Sequence, residues 1–201
     1  KAIVIACNTA SAFALDILKT EIDIPIMGVI HAGAITAAKT TKVGRIGVVG
    51  TSGTISSGIY EKTIHEINSE LEVIQKACPL LVPLVEEGLI NDSVTDEIIS
   101  RYVSDLKSRH IDSLVLGCTH YPLLYNTFRR IMGEGVSLVN PAYETAKELK
   151  SLLTCENLCA DKGEVFHEFY VSDMAERFSD FASSIIPGVV KNTGVINIEE
   201  F

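Results

Sequence analysis

The sequence predicts an α/β fold: two pseudo-symmetric domains, each built on a parallel sheet, with a site in the cleft between them. Three observations predict it. Apolar runs of strand length alternate with helical patterns, which is the signature of βα units. Two stretches, AIVIACNTASAFAL at Ala2–Leu15 and SLVLGCTHYPLL at Ser113–Leu124, share one plan. Each is an apolar run ending in a small residue, then a cysteine, then small or hydroxylated residues, then an apolar helical pattern. No low-complexity linker divides the chain. The repeat puts Cys7 and Cys118 at equivalent places, each where a buried strand gives way to a helix. Open α/β sheets bind ligands at such strand ends, beside helix N–H groups that favour an anion. The expected boundaries are 1–28 with 142–201 for the first domain and 29–141 for the second.

Each element follows from local pattern. Ala2–Ala6 reads as a strand and Ala10–Thr20 as a helix, with Asn8 or Thr9 able to cap it. Ile24–Val29 is a second strand, entered through Pro25. Gly28 and Gly33 then bracket a turn before a helix over Ala34–Thr41. Arg45–Val49 is a third strand, running into GTSGTISSG at Gly50–Gly58 and a helix from Ile55 to Ser69. Leu71–Ile74 is a short strand. The two prolines of CPLLVP, Cys78–Pro83, favour extended chain or loop ahead of a short helix over Leu84–Ile90. Ser93 caps a helix to His110, whose apolar positions 94, 98, 99, 102, 103 and 106 keep close to helical spacing. Ser113–Gly117 is the strand feeding Cys118. Pro122 suits the first turn of a helix that stops at Gly133. Val136–Val139 is a strand, and Pro141 opens a helix to Leu153. Phe166–Val171 is a strand, Met174–Ser183 a helix, and Gly194–Phe201 carries a last short strand.

Composition narrows the classes of function. Apolar residues make up 47% of the 201 residues and charged residues 21%, as in ordinary globular proteins. The formal net charge of −9 disfavours a nucleic-acid or anionic-membrane partner. No apolar run approaches the roughly 20 residues that span a bilayer, and no signal segment opens the sequence. Five cysteines, at 7, 78, 118, 155 and 159, do not read as a disulfide framework, which points to a reducing cytoplasm. Cys155 and Cys159 lack a second pair at ligand spacing, so they read as a helix-end pair of small apolar residues and no metal is expected. The chain opens with Lys1 and enters a buried-strand pattern at once, which is read as the loss of an N-terminal piece.

Two matched thiols suit one chemistry better than others. A thiolate on one face of a carbon can remove its proton while a thiol on the opposite face delivers another, inverting a stereocentre without a cofactor. A free thiol has a pKa of about 8.5, lowered by helix N-termini or cations, so both protonation states are within reach near neutral pH. His120, two residues beyond Cys118, can relay a proton or stabilise its thiolate. A cysteine hydrolase on Cys118 and His120 is the alternative, though it leaves the second thiol without a use. Glu86 and Glu87 read as solvated carboxylates, or one points into the cleft and tunes His120 or a thiol. Gly50–Gly58 reads as a turn and helix cap, or as a cradle for a small-molecule anion; it lacks the GK[ST] of a P-loop. His31, His65, His110 and His167 read as surface or loop residues, and nothing near Cys78 implies reactivity.

The motifs IACNTASA (Ile5–Ala12), PLVEEGL (Pro83–Leu89) and LVLGCTHYPLL (Leu114–Leu124) resemble the glutamate racemases of the aspartate/glutamate racemase superfamily. So do GVI-x-x-GA at Gly28–Ala34 and LV-x-x-A-x-ETA at Leu138–Ala146. CTHYP points to glutamate in preference to aspartate. The resemblance covers essentially the whole chain. It implies a cofactor-independent enzyme interconverting L- and D-glutamate and supplying D-glutamate for peptidoglycan, with homodimer formation left open. It implies Cys7 and Cys118 as the two bases, His120 as the helper of Cys118, and Glu86 as a carboxylate near that histidine. Asn8, Thr9 and Thr119 match substrate-binding positions, and Thr51 and Thr54 match hydroxyls that hold the substrate carboxylate. The family's Asp-Ser-Gly strand, whose Asp assists the first cysteine, and its Pro-Tyr-Gly loop do not occur in these 201 residues. On that ground the first domain is expected to be incomplete, with an exposed strand edge, and the activity of this chain low or absent. A glutamate-binding or structural remnant of the fold is then the alternative. His31–Ala32 in place of a common Glu-Pro, and Asn140–Pro141 in place of a common Asp-Ser, read as tolerated variation.

Overall fold

Where apolar residues run without alternation, a strand must be covered on both faces, and the centre of this fold is built from two such runs. The computed structural model describes residues 1–160, 163–190 and 193–200. The order is β1 (Ile3–Ile5), α1 (Asn8–Glu21), β2 (Ile26–Gly28), α2 (Ile30–Thr40), β3 (Arg45–Gly50), α3 (Ser52–Ser56) and α4 (Ile59–Ile67). There follow β4 (Glu72–Ala77), α5 (Leu81–Glu86), α6 (Ser93–Ser108), β5 (Ser113–Gly117), a 3-10 turn over Tyr121–Leu124, α7 (Tyr125–Met132), β6 (Ser137–Val139) and α8 (Pro141–Cys155). The chain ends with β7 (Phe169–Val171), α9 (Ala175–Ile185), β8 (Thr193–Val195) and a 3-10 turn over Ile198–Glu200. It separates into two compact units, 1–159 and 160–201.

The first unit carries a four-stranded sheet of order β4-β3-β5-β6 and a two-stranded sheet of β1 and β2. The described strand pairs are all parallel, as the βα alternation predicts. Ile46, Val48 and Val49 of β3 and Leu114, Val115 and Leu116 of β5 are fully buried. Burying a side chain of this kind stabilises a fold by roughly 1.5–3 kcal/mol. α2 and α4 cover one face with Ile30, Ala34, Ala37, Tyr60 and Ile64. Gly47 points the other way by strand alternation, and a Cβ there would collide with Ile111 and approach Leu114 and Leu106. Leu106 belongs to α6, so that helix closes the opposite face. β1 pairs with β2 alone among the described strands, and Val4 of β1 with Phe13 and Ile17 of α1 are exposed. In the second unit β7 and β8 form their own parallel pair.

Register sets the site. Gly50 of β3 pairs with Ala77 of β4 and with Gly117 of β5. The loops beginning at Thr51, Cys78 and Cys118 therefore leave the sheet at one level, at its carboxyl edge.

Several elements depart from the expected bounds. α1 begins at Asn8 and is capped by Cys7, whose sulfur accepts from the Ala10 N–H at 3.4 Å. α2 begins at Ile30, so Gly33 lies inside a helix; a Cβ there would come within 3.0 Å of Pro141 and 3.2 Å of the Tyr60 hydroxyl. The expected Ile55–Ser69 helix is split into α3 and α4 by Gly58, which is left-handed at φ 65°. α5 starts at Leu81, and Pro83 sits in its first turn, where a missing N–H costs nothing. Asp92, not Ser93, caps α6, its carboxylate accepting from the Val94 N–H at 2.7 Å. A 3-10 turn over Tyr121–Leu124 separates Cys118 from α7. The last expected strand starts one residue early, at Thr193, and gives way to a 3-10 turn; its expected end, Phe201, lies outside the described residues.

Candidate active site

The carboxyl edge of the parallel sheets collects every residue singled out for chemistry, all within 1–159. Cys7 leaves β1 with extended backbone (φ −85°, ψ 126°) and is exposed to solvent. Cys118 leaves β5 and is buried. Burial pushes the Cys118 thiol up. The backbone N–H of His120 pulls it partly back, the charge of Cys7 pushes it up again, and hydrogen bonds from Thr119 and the Tyr121 N–H lower it. Ionising Cys7 therefore makes Cys118 harder to ionise.

Cys118, His120 and Glu86 form a line. The Cys118 sulfur is 3.9 Å from His120 Nδ1, and His120 Nε2 is 3.2 Å from Glu86 Oε1. α5 delivers Glu86 because its helix starts early, at Leu81. Between the two readings of Glu86 and Glu87, the structure places Glu86 against the histidine. A carboxylate at Nε2 favours a proton there, which leaves Nδ1 to accept from the thiol or, in the imidazolium, to stabilise the thiolate. Thr119, exposed, lies with its hydroxyl 3.3 Å from the same Nδ1.

Around Cys7 the arrangement differs. Asn8 is buried, and its Oδ1 accepts from the Tyr60 hydroxyl at 2.6 Å. Thr9, Thr51 and Thr54 close a triangle of hydroxyls, with oxygen–oxygen distances of 2.8, 3.0 and 3.1 Å. Thr51 also caps α3, accepting from the Thr54 N–H at 3.2 Å. Gly53 makes this closeness possible, since a Cβ there would lie 3.0 Å from the Thr9 methyl. Gly50–Gly58 thus holds a capped short helix whose Thr51 and Thr54 hydroxyls meet Thr9 of α1. The Asn8 and Thr9 side chains point to tertiary partners, which is why the sulfur of Cys7 takes the cap.

A cavity of about 330 Å³ adjoins both motifs, with Asn8, Cys118, Thr119, Asn140, Pro141 and Thr145 in its lining. Asn140 caps α8, its Oδ1 accepting from the Ala142 N–H at 3.1 Å. Among the described residues no group of three or more His, Cys, Asp or Glu could hold a metal ion, and no helix is long and apolar enough to cross a membrane. Cys155 ends α8, and Cys155 and Cys159 are both exposed.

Two tyrosines that were not singled out support the site. Tyr60 reaches Asn8 from α4, and Tyr121 donates its hydroxyl to the Cys78 carbonyl at 2.8 Å, tying the Cys118 turn to the segment leading into α5. Both are fully buried. Only the Tyr inside CTHYP had a sequence signal; Tyr60 looks like any apolar position of a helix.

The geometry can be set beside known proteins. A family model described as Asp/Glu/Hydantoin racemase matches residues 1–149. The glutamate racemase of Geobacter metallireducens is 42% identical over 200 residues, covering 99% of this chain and 74% of that protein. The crystal structure of a glutamate racemase isoform from Bacillus anthracis superposes with a TM-score of 0.94 at 39% identity, over 98% of this chain and 74% of that one. The Francisella tularensis glutamate racemase in complex with D-glutamate superposes with a TM-score of 0.92 at 31% identity, over all of this chain and 75% of that one. The two cysteine turns at parallel-strand ends, with these likenesses, place the chain in the aspartate/glutamate/hydantoin racemase family.

Proposed function

We propose that this protein interconverts L- and D-glutamate by two-thiol proton transfer at Cα, without a cofactor, and supplies D-glutamate for peptidoglycan. The observation that carries the reading is the pair of thiols on equivalent strand-end turns, Cys7 after β1 and Cys118 after β5, with one cavity adjoining both turns. One thiolate takes the Cα proton from one face as the Cα–H bond breaks. The opposite thiol gives up its S–H proton to the other face, so a new Cα–H bond forms and the two thiols exchange protonation states. His120, backed by Glu86, assists Cys118. Thr9, Thr51 and Thr54 offer hydroxyls to the substrate carboxylate, and Asn8 and Thr119 offer polar contacts at the two turns. The reducing cytoplasm keeps such thiols free. The same reading divides the chain into a first domain of 1–28 with 142–201 and a second of 29–141, and leaves a homodimer to be sought by sedimentation.

Cys7 is exposed, and the Ala10 N–H is a backbone partner for its sulfur. With no Asp-Ser-Gly motif in these 201 residues, exchange by this polypeptide by itself is proposed to be low. The decisive experiment follows loss of Cα–H signal from each glutamate enantiomer in D₂O by NMR. Exchange that vanishes in both Cys7→Ser and Cys118→Ser supports two thiols acting together. Formation of the opposite enantiomer that survives either change overturns the mechanism, whereas exchange of one enantiomer by the remaining thiol does not. Glutamate binding in calorimetry with no exchange supports a binding role for the fold. The Cys118–His120–Glu86 line also favours a hydrolase reading; an acyl group trapped on Cys118, with turnover lost in Cys118→Ser but kept in Cys7→Ser, would establish that reading instead.

A further inference from the structure

One side chain touches both thiol turns from below. Tyr60 is fully buried in α4 and donates to Oδ1 of Asn8, the residue after Cys7. Its ring lies against Gly117, the residue before Cys118: a Cβ at Gly117 would fall 3.2 Å from the ring edge, as well as 2.8 Å from the Val49 carbonyl. Gly33 of α2 borders the other end, where a Cβ would fall 3.2 Å from the phenol oxygen. Two glycines on different elements thus shape the slot for one tyrosine. Burial raises the phenol's pKa, and the charge of Cys118 raises it further, so the hydroxyl keeps its proton and remains a donor.

That donor settles what Asn8 can do. A carboxamide has an acceptor oxygen and a two-donor nitrogen. With the oxygen held by Tyr60, the NH₂ group is the end left to donate. Asn8 lies in the lining of the cavity shared with Cys118 and Thr119. A substrate placed between two thiols presents carboxylate oxygens, which accept. We propose that Tyr60 is a positioning residue: its hydroxyl fixes the Asn8 carboxamide so that the NH₂ donates to a carboxylate oxygen of the substrate, while its ring seats the turn that carries Cys118. This rests on the glutamate reading for the substrate and on the Tyr60–Asn8 hydrogen bond for the geometry.

The test uses Tyr60→Phe, Asn8→Ala, the double variant and Asn8→Asp. Three quantities are read: glutamate affinity by calorimetry, melting temperature, and the Asn8 side-chain amide resonances by NMR. Tyr60→Phe is expected to weaken glutamate binding about tenfold and to shift the Asn8 amide pair. On an Asn8→Ala background the same change is expected to weaken binding less than about twofold, because the effect passes through Asn8. Asn8→Asp keeps an acceptor for Tyr60 but replaces the donor; it is expected to stay folded and lose at least about tenfold in affinity, which keeps the proposal testable should Tyr60→Phe fail to fold. Unchanged affinity in Tyr60→Phe with a lowered melting temperature, fully additive losses, or wild-type affinity in Asn8→Asp each overturn the proposal. Should the unsubstituted protein not bind glutamate, the racemase reading fails, and the amide resonances still decide on Tyr60: a shift in Tyr60→Phe upholds its hold on Asn8, and an unshifted pair overturns it.

Discussion

His120 stands between two groups that act on it in opposite senses. A carboxylate, Glu86, lies 3.2 Å from Nε2, and the Cys118 sulfur lies 3.9 Å from Nδ1. The Cys118 thiol is raised chiefly by burial, and on the proposed mechanism the histidine brings the thiolate back within reach. Replacing His120 by Asn removes that help. Alkylation of Cys118 by iodoacetamide, followed by mass spectrometry as a function of pH, is expected to shift to higher pH in His120→Asn and by a smaller amount in Glu86→Gln. Glutamate exchange is expected to fall by roughly 10²-fold in the first and less in the second. A labelling profile identical to that of the unsubstituted protein would remove His120 from the chemistry. Both thiols and the histidine were legible because each stands in a short motif at a strand end. Glu86 was legible only as one of two readings, because a carboxylate next to another is usually solvated. Tyr60 was not legible at all, since its partner Asn8 is 52 residues away and its own neighbours form an ordinary amphipathic helix.

At the scale of elements, the sequence located strands and helices and placed the first residues of β3, β5 and α8, but missed those of α1, α2 and α5. A cap is decided by what else a polar side chain can reach. Asn8 has Tyr60 and Thr9 has two threonines, so neither caps α1. Gly33 was expected to bound a turn, yet it lies inside α2, where its missing side chain leaves room for Pro141 and Tyr60. These are long-range facts that no local window contains. The junction between α2 and β3 shows the same rule and allows a test. Asp112, at the foot of β5, accepts from Thr41 Oγ1 at 2.5 Å and from the N–H groups of Lys42 and Val43 at 2.6 and 2.9 Å. Burial alone would raise its carboxyl pKa, but these bonds outweigh it and hold the group below its ordinary value. A depressed folded-state pKa contributes stability that is present above the unfolded value of about 3.9 and lost as pH falls through the folded one. Asp112→Asn is therefore expected to lower the melting temperature at pH 6, with the gap to the unsubstituted protein narrowing as the pH falls below about 3.9. Parallel melting curves for the two proteins across that range would show that the carboxylate does not hold the junction.

For the molecule as a whole, the α/β class and the parallel pairing were legible because βα alternation leaves little other choice, whereas the register that brings Gly50, Ala77 and Gly117 level is a property of the assembled sheet. Assembly also buries acids that exposed chain would ionise. Burial pushes Cys78 up to about 12, and it raises Cys118, Tyr60 and Tyr121 as well. All four keep their protons in the folded protein at pH values where an unfolded chain loses them, near 8.5 for thiols and 10 for phenols. Above pH 8.5 the unfolded state therefore binds fewer protons than the folded state, and stability must fall as pH rises. Each retained proton costs roughly 1 kcal/mol per pH unit until its folded-state pKa is reached. The two thiols act first and the two phenols join above pH 10, so the decline steepens there. Urea unfolding at intervals from pH 7 to 11 should show stability level to about pH 8 and then falling with increasing slope. Cys78→Ala removes one of the retained protons, and its curve should start lower, because a buried side chain is lost, yet decline less steeply. A flat profile to pH 10.5, or the same slope in Cys78→Ala, would mean that these buried acids do not set the alkaline limit of the fold.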